Sequence, residues 1–145
     1  MPLEILLVED SPGDVRLTRE AFQTSKLPLQ LHVAVDGMDA MAFLTNDGAY
    51  ATAPRPDLIL LDLNLPRMDG REVLARVKSD HNLKTIPVVV LTTSDDEADI
   101  LKTYQLHANC YLKKPVQLAA FESMVESIND FWLTRVKLPS RERYA

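Results

Sequence analysis

Leu58-Ile59-Leu60-Leu61-Asp62-Leu63-Asn64-Leu65-Pro66 is the stretch on which the fold of this chain turns. Four apolar residues in a row, ended by an acid and a proline-bearing loop, fit a strand buried on both faces, as central strands of parallel α/β sheets are. Asp62 then stands at the strand's carboxyl end. Open α/β sheets gather ligands and chemistry outside that end, so an acid there is a candidate nucleophile or metal ligand. A helix N-cap or a turn uses the same residue type, and Asp62 alone does not separate these readings.

On either side, short apolar runs alternate with helical periodicities. Leu3 to Val8 reads as a strand ending at Glu9-Asp10, followed by a Ser11-Pro12-Gly13 turn. From Asp14 a helix carries Val15, Leu17, Thr18, Ala21 and Phe22 on one face. Leu29 to Val35 is a second strand, broken by Asp36-Gly37, and Met38 to Leu44 a short helix. Thr45 to Pro56 reads as a surface loop, longer than most connections in a compact domain. Beyond Asp62, Arg71 to Asp80 sets Val73, Leu74 and Val77 on one helical face, and Val88 to Thr92 is a second fully apolar strand. Ser94-Asp95-Asp96-Glu97 opens a helix to Gln105, with acids where the helix dipole favours them. Asn109 to Lys113 is the last strand, halted by Lys114-Pro115. The last helix runs from Gln117 to Val136, with Leu118, Phe121, Met124, Val125, Ile128 and Trp132 on one stripe. Five strands alternating with five helices predict a doubly wound five-stranded parallel sheet with helices on both faces. The domain is expected over 1–138, with a polar tail over 139–145.

Composition agrees with one domain: 145 residues, 46% hydrophobic and 26% charged. A net charge of -5 argues against a nucleic-acid surface, which needs clustered Lys and Arg. The lone Cys110 reads as a small buried hydrophobe, consistent with a reducing compartment. The first apolar run is interrupted at Glu9, so neither a signal peptide nor a membrane span is expected, and the expected compartment is the cytoplasm. His32, His81 and His107 lack ligand spacing. The basic Arg135, Lys137, Arg141 and Arg143 read as a solvated tail or a docking site for an acidic partner.

The chemistry follows from superposing strand ends. Glu9, Asp10, Asp62, Thr92 and Lys114 all reach one rim. Crowded carboxylates raise one another's pKa values unless a cation neutralises them, and Mg²⁺ is a hard ion that takes oxygen ligands and keeps waters for exchange. Lys114 adds a point charge and Thr92 a donor, which together describe a phosphoryl-transfer site. A phosphohydrolase with an aspartyl nucleophile would want a second Asp at position 64, where Asn64 stands. A mononucleotide module would want a glycine- or hydroxyl-rich phosphate loop in place of Glu9-Asp10-Ser11-Pro12-Gly13.

With these residues in order, the sequence resembles the receiver domains of two-component response regulators over roughly Leu3 to Val136. The resemblance implies that Asp62 accepts a phosphoryl group from the phosphohistidine of a sensor histidine kinase. It further implies that Glu9, Asp10, Asp62 and the backbone carbonyl of Asn64 hold Mg²⁺, that Thr92 and Tyr111 form the switch, and that Lys114 binds the phosphate. Lys113 is then a solvated neighbour of the lysine beside Pro115. Glu9 departs from the Asp common in the family. The Ile-Leu-Leu-Val-Glu-Asp-Ser run, the long loop and Phe131-Trp132-Leu133 look most like stand-alone regulators of bacterial phytochrome kinases. Such a protein is a switch more than an enzyme. Surplus apolar side chains on the last two helices, Ile100, Tyr104, Phe131 and Leu133, lead us to expect a homodimer through the face of helix four, strand five and helix five.

Overall fold

The strands pair in parallel in the order β2-β1-β3-β4-β5, and the computed structural model describes residues 2–25 and 27–139. They are β1 (Leu3–Val8), β2 (Leu29–Ala34), β3 (Leu58–Leu61), β4 (Val88–Thr92) and β5 (Cys110–Lys113). Between and after them run α1 (Pro12–Phe22), α2 (Gly37–Leu44), α3 (Gly70–Ser79), α4 (Glu97–Gln105) and α5 (Leu118–Asp130). The chain crosses from β1 to β2 on one side and then back to β3 on the other, so its direction of winding reverses between β1 and β3. That switch point opens the ligand crevice of such sheets. Register places the acids there: Val8 pairs with Leu61, so the next residues, Glu9 and Asp62, emerge side by side.

The expected burial of the central strand is met, since Leu58, Ile59, Leu60 and Leu61 are at most 1% exposed. Strand alternation sends Leu6, Val8, Ile59 and Val90 to a core with Phe43, Leu74 and Val77. On the opposite side, Ile5, Leu7, Leu58 and Val89 pack with Phe22, Phe121, Val125 and Ile128. Each such side chain stabilises the fold by about 1.5–3 kcal/mol relative to exposure. Helix α4 is anchored far more thinly. Thr103 is its only fully buried residue, whereas α3 buries Gly70, Val73, Leu74 and Val77.

Several sequence boundaries are corrected. Helix α1 begins at Pro12, not Asp14: Ser11 is its N-cap, accepting from the Asp14 amide, and proline occupies the first turn, where a missing N–H costs nothing. Strand β2 stops at Ala34, because Val35 is 55% exposed and Asp36 already caps α2. Helices α3 and α4 start after the N-caps Asp69 and Asp96. The 45–56 loop holds a 3-10 turn, Gly48–Tyr50, fixed by the Tyr50 hydroxyl donating to Asp39 at 2.7 Å and by its ring against Phe43. Asn109 lies before β5, its amide oxygen accepting from the Val88 N–H at 2.9 Å.

The last helix differs most. It starts at Leu118, which is 55% exposed and off the buried stripe, and from Phe131 to Arg135 it widens into a π-helical turn. That extra residue per turn rotates Leu133 into the core, at 6% exposure, and leaves Phe131 outside at 54%. Leu133 therefore leaves the surplus surface expected from the sequence. Of the expected tail, residues 140–145, with Arg141 and Arg143, lie outside the described residues.

Candidate functional site

The crevice at the β1–β3 switch point is closed by one cation. Lys114, drawn in by its own N–H donating to the Thr92 carbonyl at 2.7 Å, is 5% exposed. Its Nζ bonds Glu9, Asp14 at 3.0 Å and Asp62 at 3.1 Å. Burial opposes the charge on Lys114, but the three carboxylates outweigh it and raise the ammonium pKa. Glu9 is 3% exposed. Burial, opposed by Lys114 and reinforced by the charge of Asp62, pushes its carboxyl up to about 7. One lysine thus leaves the acids under-neutralised.

The donor set fits a hard cation. Glu9, Asp10 and Asp62 each bring one carboxylate oxygen to within 4.8 Å of the others, and carboxylates suit Mg²⁺ or Mn²⁺ rather than softer ions. Asp10 is exposed and faces solvent, while Glu9 is already committed to Lys114. Asn64 is exposed, its amide donating back to Asp62 Oδ1 at 3.3 Å.

A pH dependence follows. Glu9 has a folded pKa above its ordinary 4.5, so its contribution to stability is complete below pH 4.5 and is lost as pH rises through about 7. In chelator, the protein should lose on the order of 1–3 kcal/mol from this group between those limits, which lowers Tm by several degrees. Glu9→Gln should flatten that fall. An equal fall in both proteins, followed by thermal melts from pH 4.5 to 8, would show that Glu9 is not its source.

Thr92 is wholly buried, and its Oγ1 is one of two buried side-chain atoms without a partner among the described residues. A buried hydroxyl left unpaired costs about 1–3 kcal/mol, so this one has a hydrogen bond to give to an acceptor that enters the crevice. Behind it, the Tyr111 hydroxyl donates to the Ser94 carbonyl at 2.8 Å, and Ser94 Oγ to Asp99 at 2.8 Å. Arg71 joins Asp99 at 2.8 Å and Asp69 at 3.1 Å. The loop after β4 is therefore tied both to β5 and to the start of α3.

The other sequence candidates fall apart from this cluster. Lys113 is exposed and pairs with Asp95 at 2.8 Å. His32 bonds Glu4 at 2.6 Å, and His81 and His107 are exposed. Cys110 is half-buried, and burial pushes its thiol up. Ile100 is half-buried, while Tyr104 and Phe131 are exposed. Sequence reasoning missed Asp14, although an acid in the first turn of a helix that starts at this rim was the available signal. It also missed Arg67, which grips both oxygens of Asp36 at 2.7 and 2.9 Å and holds that carboxyl below its usual range.

Winding order and the placement of these groups put the chain among the doubly wound α/β proteins whose ligand crevice opens at the switch point. The family description "Response regulator receiver domain" matches residues 5–126, and the chain belongs to that family. It is a response regulator, a signalling protein, as the sequence motifs implied. It is 54% identical over 139 residues to "Response regulator Rcp1" of Synechocystis sp., a match that covers 96% of this chain and 95% of the relative. A crystal structure of the Mn(2+)-bound form of Rcp1 superposes with a TM-score of 0.94 at 54% identity, covering 96% of this chain and all of the other. The phosphorylated cyanobacterial phytochrome response regulator RcpA gives 0.94 at 53% identity, over 97% of this chain and 100% of the other. The bacteriophytochrome response regulator RtBRR gives 0.75 at 40% identity, over 96% and 85%. Among the described residues no helix is long and apolar enough to cross a membrane.

Proposed function

We propose that Asp62 is the phosphoacceptor of this response regulator, that its donor is the phosphohistidine of a sensor histidine kinase of the phytochrome type, and that the reaction requires Mg²⁺. The observation that carries this is a nearly buried carboxylate held 3.1 Å from a buried ammonium, with two further acids within cation-sharing distance. The relatives described as Mn(2+)-bound and as phosphorylated support a divalent cation and a phosphoryl group at this crevice.

An oxygen of Asp62 attacks phosphorus, forming an O–P bond as the P–N bond of the donor breaks and its electron pair returns to the imidazole. Glu9, Asp10, Asp62 and the Asn64 carbonyl would hold the cation, which supplies charge neutralisation for the phosphoryl oxygens. Asp10, free of Lys114, is the stronger direct ligand and Glu9 the weaker. Lys114 turns from Glu9 to a phosphoryl oxygen, and the unpaired Thr92 hydroxyl donates to another. Drawing Thr92 inward pulls on Ser94, whose carbonyl Tyr111 holds, and so shifts α4. We take 1–138 as the signalling unit and the cytoplasm as its compartment, where such kinases keep their phosphorylated histidines.

The direct test is incubation with acetyl phosphate and Mg²⁺, read by intact mass. Gain of one phosphoryl group, abolished by chelation, is the expected result; labelling undiminished in excess chelator would contradict the cation requirement.

The output is a protein contact. Leu101 and Tyr104 on α4 and Leu118 and Phe131 near the two ends of α5 are about half or more exposed, on either side of the unpaired edge of β5. With Ile100 beneath, this face suits a self-complementary dimer that phosphorylation tunes. Sedimentation at micromolar concentration should show a dimer that Phe131→Ala disperses and His81→Ala does not. A monomer with and without acetyl phosphate would rule it out.

A further inference from the structure

The backbone carbonyl of Asn64 can serve the cation only as well as the loop that carries it is placed. That loop, from Leu63 to Asp69, is folded back on its own start. The Gly70 N–H donates to the Leu63 carbonyl at 2.9 Å, and the Met68 N–H to that of Pro66 at 2.8 Å. At its tip Arg67 takes a left-handed backbone, φ 64°, which a side chain disfavours. From there Arg67 crosses to the start of α2. Its Nε and Nη2 bond the two oxygens of Asp36 at 2.7 and 2.9 Å. Asp36 is 7% exposed, and the same Oδ1 accepts from the Asp39 N–H at 2.8 Å as the N-cap of α2. Beside the pair, Gly37 lies so close to Met68 that a Cβ would come within 2.1 Å of the Met68 carbonyl. The loop is thus pressed onto α2 and gripped there by a planar fork, at a point that touches none of the acids of the crevice.

We propose that Arg67 and Asp36 are positioning residues for the cation site: their ion pair sets the loop that presents the Asn64 carbonyl, and so ties cation affinity to the N-terminus of α2. This rests on the metal site argued above. Arg67 is 61% exposed, but Asp36 is buried, so removing Arg67 alone strands a buried carboxylate and lowers Tm, whereas Asp36→Asn strands no charge. Losing the pair through Asp36→Asn should therefore show in metal affinity more than in melting temperature. Supporting groups one step removed from a metal's ligands typically change its affinity about 10- to 100-fold when lost.

The test uses Mn²⁺ alone as the probe, titrated against the full chain by the resonance signal of the free ion, with melts in chelator alongside. Arg67→Met and Asp36→Asn, which keeps the cap acceptor, should each weaken Mn²⁺ about tenfold, with Tm lowered in Arg67→Met and little changed in Asp36→Asn. Arg67→Lys, a point charge without the fork, should recover part of the loss. Arg67→Gly separates the two roles of the position, since glycine adopts the left-handed backbone freely. Affinity reduced in Arg67→Gly as in Arg67→Met supports the ion pair. Unchanged affinity in Arg67→Gly, or a lowered Tm with unchanged affinity in Asp36→Asn, overturns the proposal. Failure of the unsubstituted chain to bind Mn²⁺ overturns the metal site itself, and is told apart because it does not depend on position 67.

Discussion

Asp62→Asn should bring labelling by acetyl phosphate down at least about 10³-fold, the scale on which removing a nucleophile acts, while the fold persists. The amide conserves volume and the hydrogen bond from the Asn64 N–H. It removes one of three acids that share Lys114 at 3.1 Å or less, so the remaining two are better neutralised. The variant's Tm in chelator should therefore equal or exceed that of the unsubstituted chain, and its gain of Tm on adding Mg²⁺ should shrink. Intact-mass spectra and paired melts read both effects. Undiminished labelling in the variant would move the acceptor elsewhere.

The second large effect is expected from Lys114→Ala. Three carboxylates, two of them buried, lose the ammonium they share, and an uncompensated buried charge costs about 3–5 kcal/mol. That cost should be fullest near pH 8 in chelator. It should shrink toward pH 5, because the Glu9 carboxyl, already raised in the parent and raised further once Lys114 no longer holds it down, takes up a proton there, and saturating Mg²⁺ should reverse part of it. Phosphorylation should survive at a reduced rate, because the nucleophile and the cation ligands remain. Trp132, packed against the same core as Cys110 and Leu112 of β5, should change its fluorescence on acetyl phosphate in the parent and not in the variant, since nothing then draws the phosphoryl group toward β5. A variant as stable as the parent at pH 8, or one with the parent's full fluorescence change, would contradict this account.

The sheet was readable because each strand announces itself: β3 and β4 as unbroken apolar runs, β1 by its stop at Glu9. Glu9, Asp10, Asp62 and Thr92 followed from those stops, since a parallel sheet leaves its strand ends no other place to go, whereas the choice of Lys114 over Lys113 and the Asn64 carbonyl came from the resemblance to receiver domains. What escaped the reading was contact at a distance. Asp14 gave a local hint as an acid in the first turn of a helix that starts at the rim, but nothing local names its partner, a lysine a hundred residues away, and no pattern at all says that Arg67 will meet Asp36. Periodicity also misled where backbone geometry departs from its ideal. A 3.6-residue repeat carried through Phe131 puts Leu133 on the surface, and the π-helical turn puts it in the core.

Helix α4, held by Thr103 and by polar ties through Ser94, Asp99 and Arg71, has a further consequence for how the molecule breathes. Its amides should exchange hydrogen through openings that leave the rest of the sheet intact, well below the free energy of global unfolding, while those of β3 wait for the whole molecule to open. A coupling of only about 1–3 kcal/mol is what a regulatory ligand ordinarily delivers. An element that can be released without exposing an aliphatic core is one that so small an input can redistribute between two populations.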